Sequence, residues 1–345
     1  LPPVFPNGWI PVLESSQLGV NEVVPLRAFG QELVAFRTTD GVAHVLDAYC
    51  PHLGAHLGEM GRVVGDCIEC PFHGWKFHGD TGVCTDVPYS STTPSSVKVK
   101  TWTCQESCGL IIVWFHADGE EPSWVIEWPA DVVSGRMHQM ARYETLCSGH
   151  VQDLAQKVAD AAHLNSLHAA TCLLSLPEFS SRPRDSWLCR LMQLKWNTTF
   201  AVAGVQASVS ISIQMSLMGW KPKFAQCRGF VKQVGPALTV VTVQNIFGRF
   251  IALVSATPEA PFQTRIVHRS YGTPGLVSWL WCQAAELGIS NMMDRDVAVW
   301  NQKALIKPAL VDEDNDIEEF RKWYNQFYSK SSPTWREVKE RSLSW

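Results

Sequence analysis

Two short segments of this chain pair a cysteine with a histidine: Cys50-Pro51-His52 and, after seventeen intervening residues, Cys70-Pro71-Phe72-His73. Two thiolates and two imidazoles brought in as paired fingers form a donor set for metal. Zinc accepts such a set tetrahedrally, but its usual patterns repeat like residues within a finger, and here each finger is mixed. The mixed set is what a Rieske [2Fe–2S] cluster needs, with two thiolates on one iron and two neutral imidazoles on the other. Pro51 and Pro71 stiffen the loops, and Gly54 and Gly74 supply backbone freedom where each finger must turn over the cluster. Cys50, His52, Cys70 and His73 are therefore the candidate cluster ligands.

A second constellation follows in Asp160-Ala161-Ala162-His163-Leu164-Asn165-Ser166-Leu167-His168. On a regular helix Asp160 and His163 share a face, whereas His163 and His168 lie roughly 140° apart at about 100° per residue. Only a bulge or a helix end would aim both imidazoles at one ion. Two His and one carboxylate make the facial triad of a non-haem Fe(II) oxygenase, with open positions left for O2. The closing segment offers two carboxylates, Asp294 and Asp296. Alone, His-x4-His is a weak motif, and structural histidines are its ordinary explanation; beside the mixed fingers it gains weight.

The run from Cys50 to Gly54, with Cys70-Pro-Phe-His-Gly-Trp75, resembles the Rieske domain of Rieske-type non-haem iron oxygenases. The chain further resembles the Neverland-type cholesterol 7-desaturases, near the 3-ketosteroid 9α-hydroxylases. That likeness is carried by Cys67-Ile-Glu-Cys-Pro-Phe-His-Gly-Trp75, Ala161-Ala-His-Leu-Asn165, Thr257-Pro258, Arg265-Ile-Val-His-Arg269 and residues 317–328. In this family the carboxylate ligand sits just before an apolar pair and a Trp, which implies Asp296 with His163 and His168 and ranks Asp294 second. The resemblance also implies that Asp160 links a cluster ligand of one subunit to an iron ligand of its neighbour, within a homo-oligomer expected to be a trimer. Otherwise Asp160 is an acceptor that fixes the His163 tautomer.

The implied cofactors are the [2Fe–2S] cluster and mononuclear Fe(II), with O2 as co-substrate. NAD(P)H electrons should arrive through a separate reductase or ferredoxin, since no Gly-x-Gly-x-x-Gly nucleotide turn occurs in the chain. The implied reaction is 7,8-desaturation of cholesterol to 7-dehydrocholesterol. The alternatives are a steroid hydroxylase of the 3-ketosteroid type or a degenerate metal-binding homologue without turnover. One departure bears on the last: Gln156-Lys157 stands where relatives commonly carry Glu-Asn. A solvated helix face is the ordinary place for Lys157, while an inward Lys157 would set positive charge beside the iron.

These residues need a scaffold, and 345 residues suffice for two domains. Short apolar runs broken by turn residues, with Asp40-Gly41 as a hairpin, predict an antiparallel β domain over residues 1–116. An acidic, Pro-containing linker is expected at 117–130, a catalytic domain at 131–328 and a polar peripheral tail at 329–345. The catalytic domain should open with a helix over about 153–169. Alternating strands then fill 191–254, Val209-Ser-Ile-Ser-Ile213 among them, and helices over 277–303 and 317–327 close the domain. The fold class is α+β.

A net charge of -4 argues against nucleic acid as a partner, and eleven cysteines, an odd number, argue against a disulfide framework. His56, Cys67, Cys84, Cys104 and Cys108 are expected to pack rather than bind metal. His268 is expected either to line a substrate cavity or to bond within a strand pair. The chain starts at Leu1 with neither an initiator Met nor a signal sequence, so an upstream segment is expected to be missing. If that segment is an anchor, the protein should be membrane-associated and face the cytosol, with the present stretch soluble. Residues 274–293 are apolar but interrupted by Gln283 and Glu286, and read as a buried helix or a surface that meets membrane or an oily substrate.

Overall fold

The computed structural model describes residues 1–343 apart from 171, 184, 223–225, 247, 305 and 307. The N-terminal part is built from β1 (Gly8–Glu14), β2 (Val23–Ala28), β3 (Gln31–Arg37), β4 (Ala43–Asp47) and β5 (Arg62–Val64), followed by β6 (Cys67–Glu69), β7 (Lys76–His78), β8 (Cys84–Asp86), β9 (Cys104–Ser107) and β10 (Leu110–Phe115). They form three antiparallel sheets, β1-β10-β9, β2-β3-β4 and β5-β6-β7-β8. Asp40-Gly41 turns β3 into β4 as expected, with Gly41 at φ +89° and its N–H donating to the Thr38 carbonyl. One cysteine-histidine finger joins β4 to β5, and the other is the turn from β6 to β7.

The second part holds α1 (Ala130–Val133), β11 (His138–Cys147), α2 (Val151–Gln156), α3 (Ala161–Leu167), α4 (Leu176–Ser180) and α5 (Trp187–Leu191). A meander of β12 (Met192–Ala203), β13 (Gln206–Leu217), β14 (Gln226–Val234), β15 (Leu238–Asn245), β16 (Gly248–Ala260) and β17 (Gln263–Gly272) follows. Then come α6 (Leu276–Trp300), α7 (Asn315–Tyr324) and α8 (Trp335–Leu343). The sheet order is β11-β17-β16-β15-β14-β13-β12, antiparallel throughout, and α6 lies across β11 and β17. The α+β class is as the sequence predicts.

Two expectations are corrected here. The helix expected over 153–169 is not the first element of the domain, because α1 and β11 precede it; the charged and polar alternation of His138–Cys147 belongs to an edge strand that is half solvated. Nor is 153–169 one helix. It breaks after Gln156 and restarts at Ala161, because Asp160 leaves helical geometry at φ -91° and ψ 86° and turns its carboxylate onto the His163 N–H at 3.0 Å. A short acidic side chain that caps a helix this way competes with continuation of the preceding one.

The two parts share a strand pair. β10 reads as an unbroken apolar run because both its faces are covered. Ile111, Val113 and Phe115 enter one core with Ile10, Val12 and Phe29. Leu110, Ile112 and Trp114 enter another with Trp9, Leu238, Ile251, Leu253 and Tyr271 of the large sheet. Trp9 meets Trp114 edge-on at 5.4 Å and donates its indole N–H to the Trp124 carbonyl at 2.9 Å. Thr257 and Arg265 donate to the Pro11 and Val12 carbonyls, both at 2.6 Å, which ties β1 to the large sheet. Past Tyr328, Ser332 is buried, the Val4 N–H donates to the Pro333 carbonyl, and Val338 of α8 packs on the first core.

Trp9 is 1% exposed in the core that joins the two parts, so Trp9→Ala should cost about 3–5 kcal/mol of stability. Denaturant unfolding followed by far-UV dichroism should show that loss. Unchanged stability would mean that the shared core does not hold the parts together.

Candidate metal centres and substrate cavity

The two fingers are the same loop built twice. In each, the cysteine N–H donates to a carbonyl five residues ahead, Cys50 N–H to the Ala55 carbonyl at 2.9 Å and Cys70 N–H to the Trp75 carbonyl at 2.8 Å. In each, a glycine four residues ahead returns its N–H to the cysteine carbonyl, Gly54 to Cys50 and Gly74 to Cys70, at φ +74° and +75°. A side chain at Gly74 would also meet Pro88 at 2.9 Å, so the turn requires glycine there twice over. Cys50 and Cys70 are buried, and the His52 and His73 rings lie 4.7 Å apart. His52 stacks on Trp75 at 4.7 Å and 9°, and Trp75 is held by a 2.8 Å bond to the Tyr89 hydroxyl.

Burial, with Cys70 as a close neighbour, pushes the Cys50 thiol up to about 11, so a metal must displace its proton to bind. The His52 Nδ1 is buried with no hydrogen-bond partner, as expected of a nitrogen kept for a ligand. His56 Nδ1 accepts from the Gly58 N–H instead, and the thiols of Cys84 and Cys104 contact backbone carbonyls.

Among the described residues one group does converge within 4.8 Å: His163, His168 and Asp296. The helix end resolves the spacing problem, since His168 is the C-cap of α3, at φ -109° and ψ 6°, and its ring crosses that of His163 at 5.3 Å and 83°. The Asp160 carbonyl accepts from the His163 Nδ1, which leaves Nε2 for a metal. His168 Nε2 lies 2.9 Å from Asp296 Oδ1, and its Nδ1 is buried without a partner. Asp294 instead accepts from the Tyr143 hydroxyl. Burial raises the Asp296 carboxyl, but the His168 bond and the nearby Lys157 charge more than offset it and hold it below the usual range. Asp160 is likewise held low by His163 against its own burial.

Neighbours fix these positions. Asn165 bonds the backbone of Trp196 in edge strand β12 through both amide atoms at 3.0 Å, which pins α3 to the sheet. Arg295, 1% exposed on α6, donates to the Leu174 carbonyl at 2.9 Å and to the Leu167 carbonyl at 3.5 Å, where α3 ends. It thus ties the loop after His168 to the helix that carries Asp296. Its adjacency to Asp296 was the only sequence signal for this role.

A cavity of about 180 Å³ opens on the triad, walled by Val158, Leu164, Val209, Ile211, Val241, Ile289 and Met292 among others. Lys157 lines it, against the solvated-face expectation. The helix that would have carried Lys157 outward has already ended, and the ammonium lies 3.6 Å from Met293 Sδ and over the Trp300 ring. Burial lowers its pKa, opposed by the charges of Asp296 and Cys147. Gln156 turns the other way and accepts from Arg321 at 2.6 Å. His268 also lines the cavity, the first of the two places expected for it.

Residues 8–103 match the Rieske [2Fe-2S] domain, and residues 113–328 match the 3-Ketosteroid 9alpha-hydroxylase C-terminal domain. A cholesterol 7-desaturase of Ciona intestinalis is 35% identical over 337 residues, covering 96% of this chain and 74% of that protein. The oxygenase component of 3-ketosteroid-9-alpha-monooxygenase from Rhodococcus rhodochrous is 27% identical over 340 residues, covering 95% and 85%. In fold, the terminal oxygenase of carbazole 1,9a-dioxygenase from Novosphingobium sp. KA1 superposes with a TM-score of 0.68 at 18% identity, covering 96% and 94%. Mixed fingers on one domain and a His-His-Asp site on the next define an oxidoreductase with a Rieske [2Fe–2S] cluster and a mononuclear iron. Within that class, the chain belongs to the Rieske oxygenase family that unites the cholesterol 7-desaturases and the 3-ketosteroid 9α-hydroxylases.

Two substitutions test the ligand assignment. Cys70→Ser should abolish the visible absorption of the cluster, and His163→Ala should keep that absorption while one iron per chain is lost. Iron and sulfide analysis reads both, and joint loss of the two centres in His163→Ala would sink the assignment.

Proposed function

We propose that this enzyme desaturates cholesterol between C7 and C8, giving 7-dehydrocholesterol, with O2 as co-substrate and NAD(P)H electrons delivered by a separate reductase or ferredoxin. The observation that carries this reading is an apolar cavity at a His-His-Asp site in a chain 35% identical to a cholesterol 7-desaturase over almost its whole length. Bound iron supplies O2 activation, fed with single electrons by the cluster. The chain's own residues do the rest. His163, His168 and Asp296 would hold the iron on one side, and the valine, isoleucine and methionine walls would exclude water and position the sterol rings.

Loss of one hydrogen from the substrate can end in an alcohol or, if the neighbouring carbon gives up a second hydrogen, in an alkene. The cavity decides between these outcomes by which pair of C–H bonds it presents. Hydroxylation of a 3-keto steroid is the second reading, supported by the 27% identical monooxygenase component. Purified enzyme, reductase, O2 and cholesterol should yield the 7,8-alkene by mass spectrometry. Faster hydroxylation of a 3-keto steroid would promote the second reading.

Asp160 is proposed to carry electrons between subunits, which calls for a homo-oligomer, with a trimer as the expected state. Within one chain its carboxylate caps α3 and approaches His163 Nδ1 at 3.7 Å, so it already touches the iron side of such a path. Asp160→Asn should retain both metals and reduce turnover to background, read as product per reducing equivalent. Near-normal product would leave Asp160 as a helix cap alone.

A further inference from the structure

Besides the His-His-Asp group, the cavity wall contains a second prepared polar group. His268 of β17 and Glu286 of α6 are both buried, 2% and 6% exposed, with His268 Nδ1 at 2.9 Å from Glu286 Oε1. The two atoms face each other at ion-pair distance without the alignment of a good hydrogen bond. Ser270, two residues along the same face of β17 and fully buried, donates its hydroxyl to the other carboxylate oxygen of Glu286. The imidazole is thus gripped by its Nδ1 edge. Its other ring nitrogen, Nε2, lies outside that grip, and His268 is one of the residues that line the cavity.

A buried ionisable pair is expensive to keep without a use, and replacement by apolar residues is often stabilising. The other polar side chains of the wall are already engaged. Thr239 donates to Gln233, the Trp196 indole N–H donates to the His168 carbonyl, Lys157 leans on Met293 and Trp300, and the remaining three belong to the metal group.

We infer that His268, positioned by Glu286 and Ser270, receives through Nε2 the single hydroxyl of an otherwise apolar substrate, and so sets which carbons face the metal. The inference rests on the sterol reading and deepens it. A hydroxyl both donates and accepts, so it suits Nε2 in either protonation state, whereas a carbonyl only accepts and suits one. The substrate class is therefore a rigid hydrocarbon skeleton with one alcohol group remote from the site of oxidation.

The test is equilibrium binding of cholesterol and of its 3-deoxy counterpart, cholest-5-ene, to the holoenzyme. Wild type should favour cholesterol by about tenfold, the usual worth of one buried hydrogen bond. The paired change His268→Phe with Glu286→Gln removes the imidazole and the buried charge together, and should erase the preference by weakening cholesterol alone. His268→Gln, which keeps a hydrogen-bonding group, should restore part of it. Equal wild-type affinity for the two sterols overturns the inference without any variant, and so does an equal loss for both in the paired variant. A wild type that binds neither overturns the sterol reading, and the inference with it.

Discussion

The iron site depends on a helix that stops. Had residues 153–169 formed one helix, His163 and His168 would point to different sides of it, and no third residue could have joined them. Asp160 breaks the run by spending its carboxylate on the His163 N–H, and its carbonyl then orients the His163 ring. Leu167 ends the next turn, so His168 is free to swing its imidazole back toward Asp296. One residue therefore places the helix start, the tautomer and the spacing. Arg295 and Asn165 hold the result against α6 and the edge of the sheet.

The Rieske part is constrained differently. Its fingers are closed alike, each by one loop of two backbone bonds and one glycine with positive φ, and they differ in whether the histidine stands two or three residues after the cysteine. Both parts then lean on β1 and β10, whose alternate side chains feed two cores. The shared strand pair thus joins the core of the cluster-bearing part to that of the large sheet.

What could be read from the sequence followed how locally each feature is encoded. The fingers were legible because their chemistry lies within a few covalent bonds, and the hairpin at Asp40-Gly41 for the same reason. Asp296 could be separated from Asp294 only through resemblance; in space Asp296 converges with the two histidines, while Tyr143 engages Asp294 from 151 residues away. β11 was missed because Arg142 and Glu144 make it look solvated, when Arg142 pairs with the buried Glu14 across the two parts. Lys157 was misread because a lysine on a helix is normally solvated, and nothing local announced that the helix ends one residue earlier. The Ser270–Glu286–His268 arrangement joins a strand to a helix and leaves no spacing pattern at all.

Lys157 also bears on reduction potential. A positive charge on the cavity wall penalises the ferric state of a nearby ion more than the ferrous state, because the penalty scales with the ion's own charge. While protonated, this amine therefore makes the iron easier to reduce and harder to oxidise than a neutral side chain at the same place would. Its pKa is already lowered by burial, and a metal dication beside it lowers it further. Proton loss from Lys157 and electron loss from a bound iron would thus be coupled, each favouring the other.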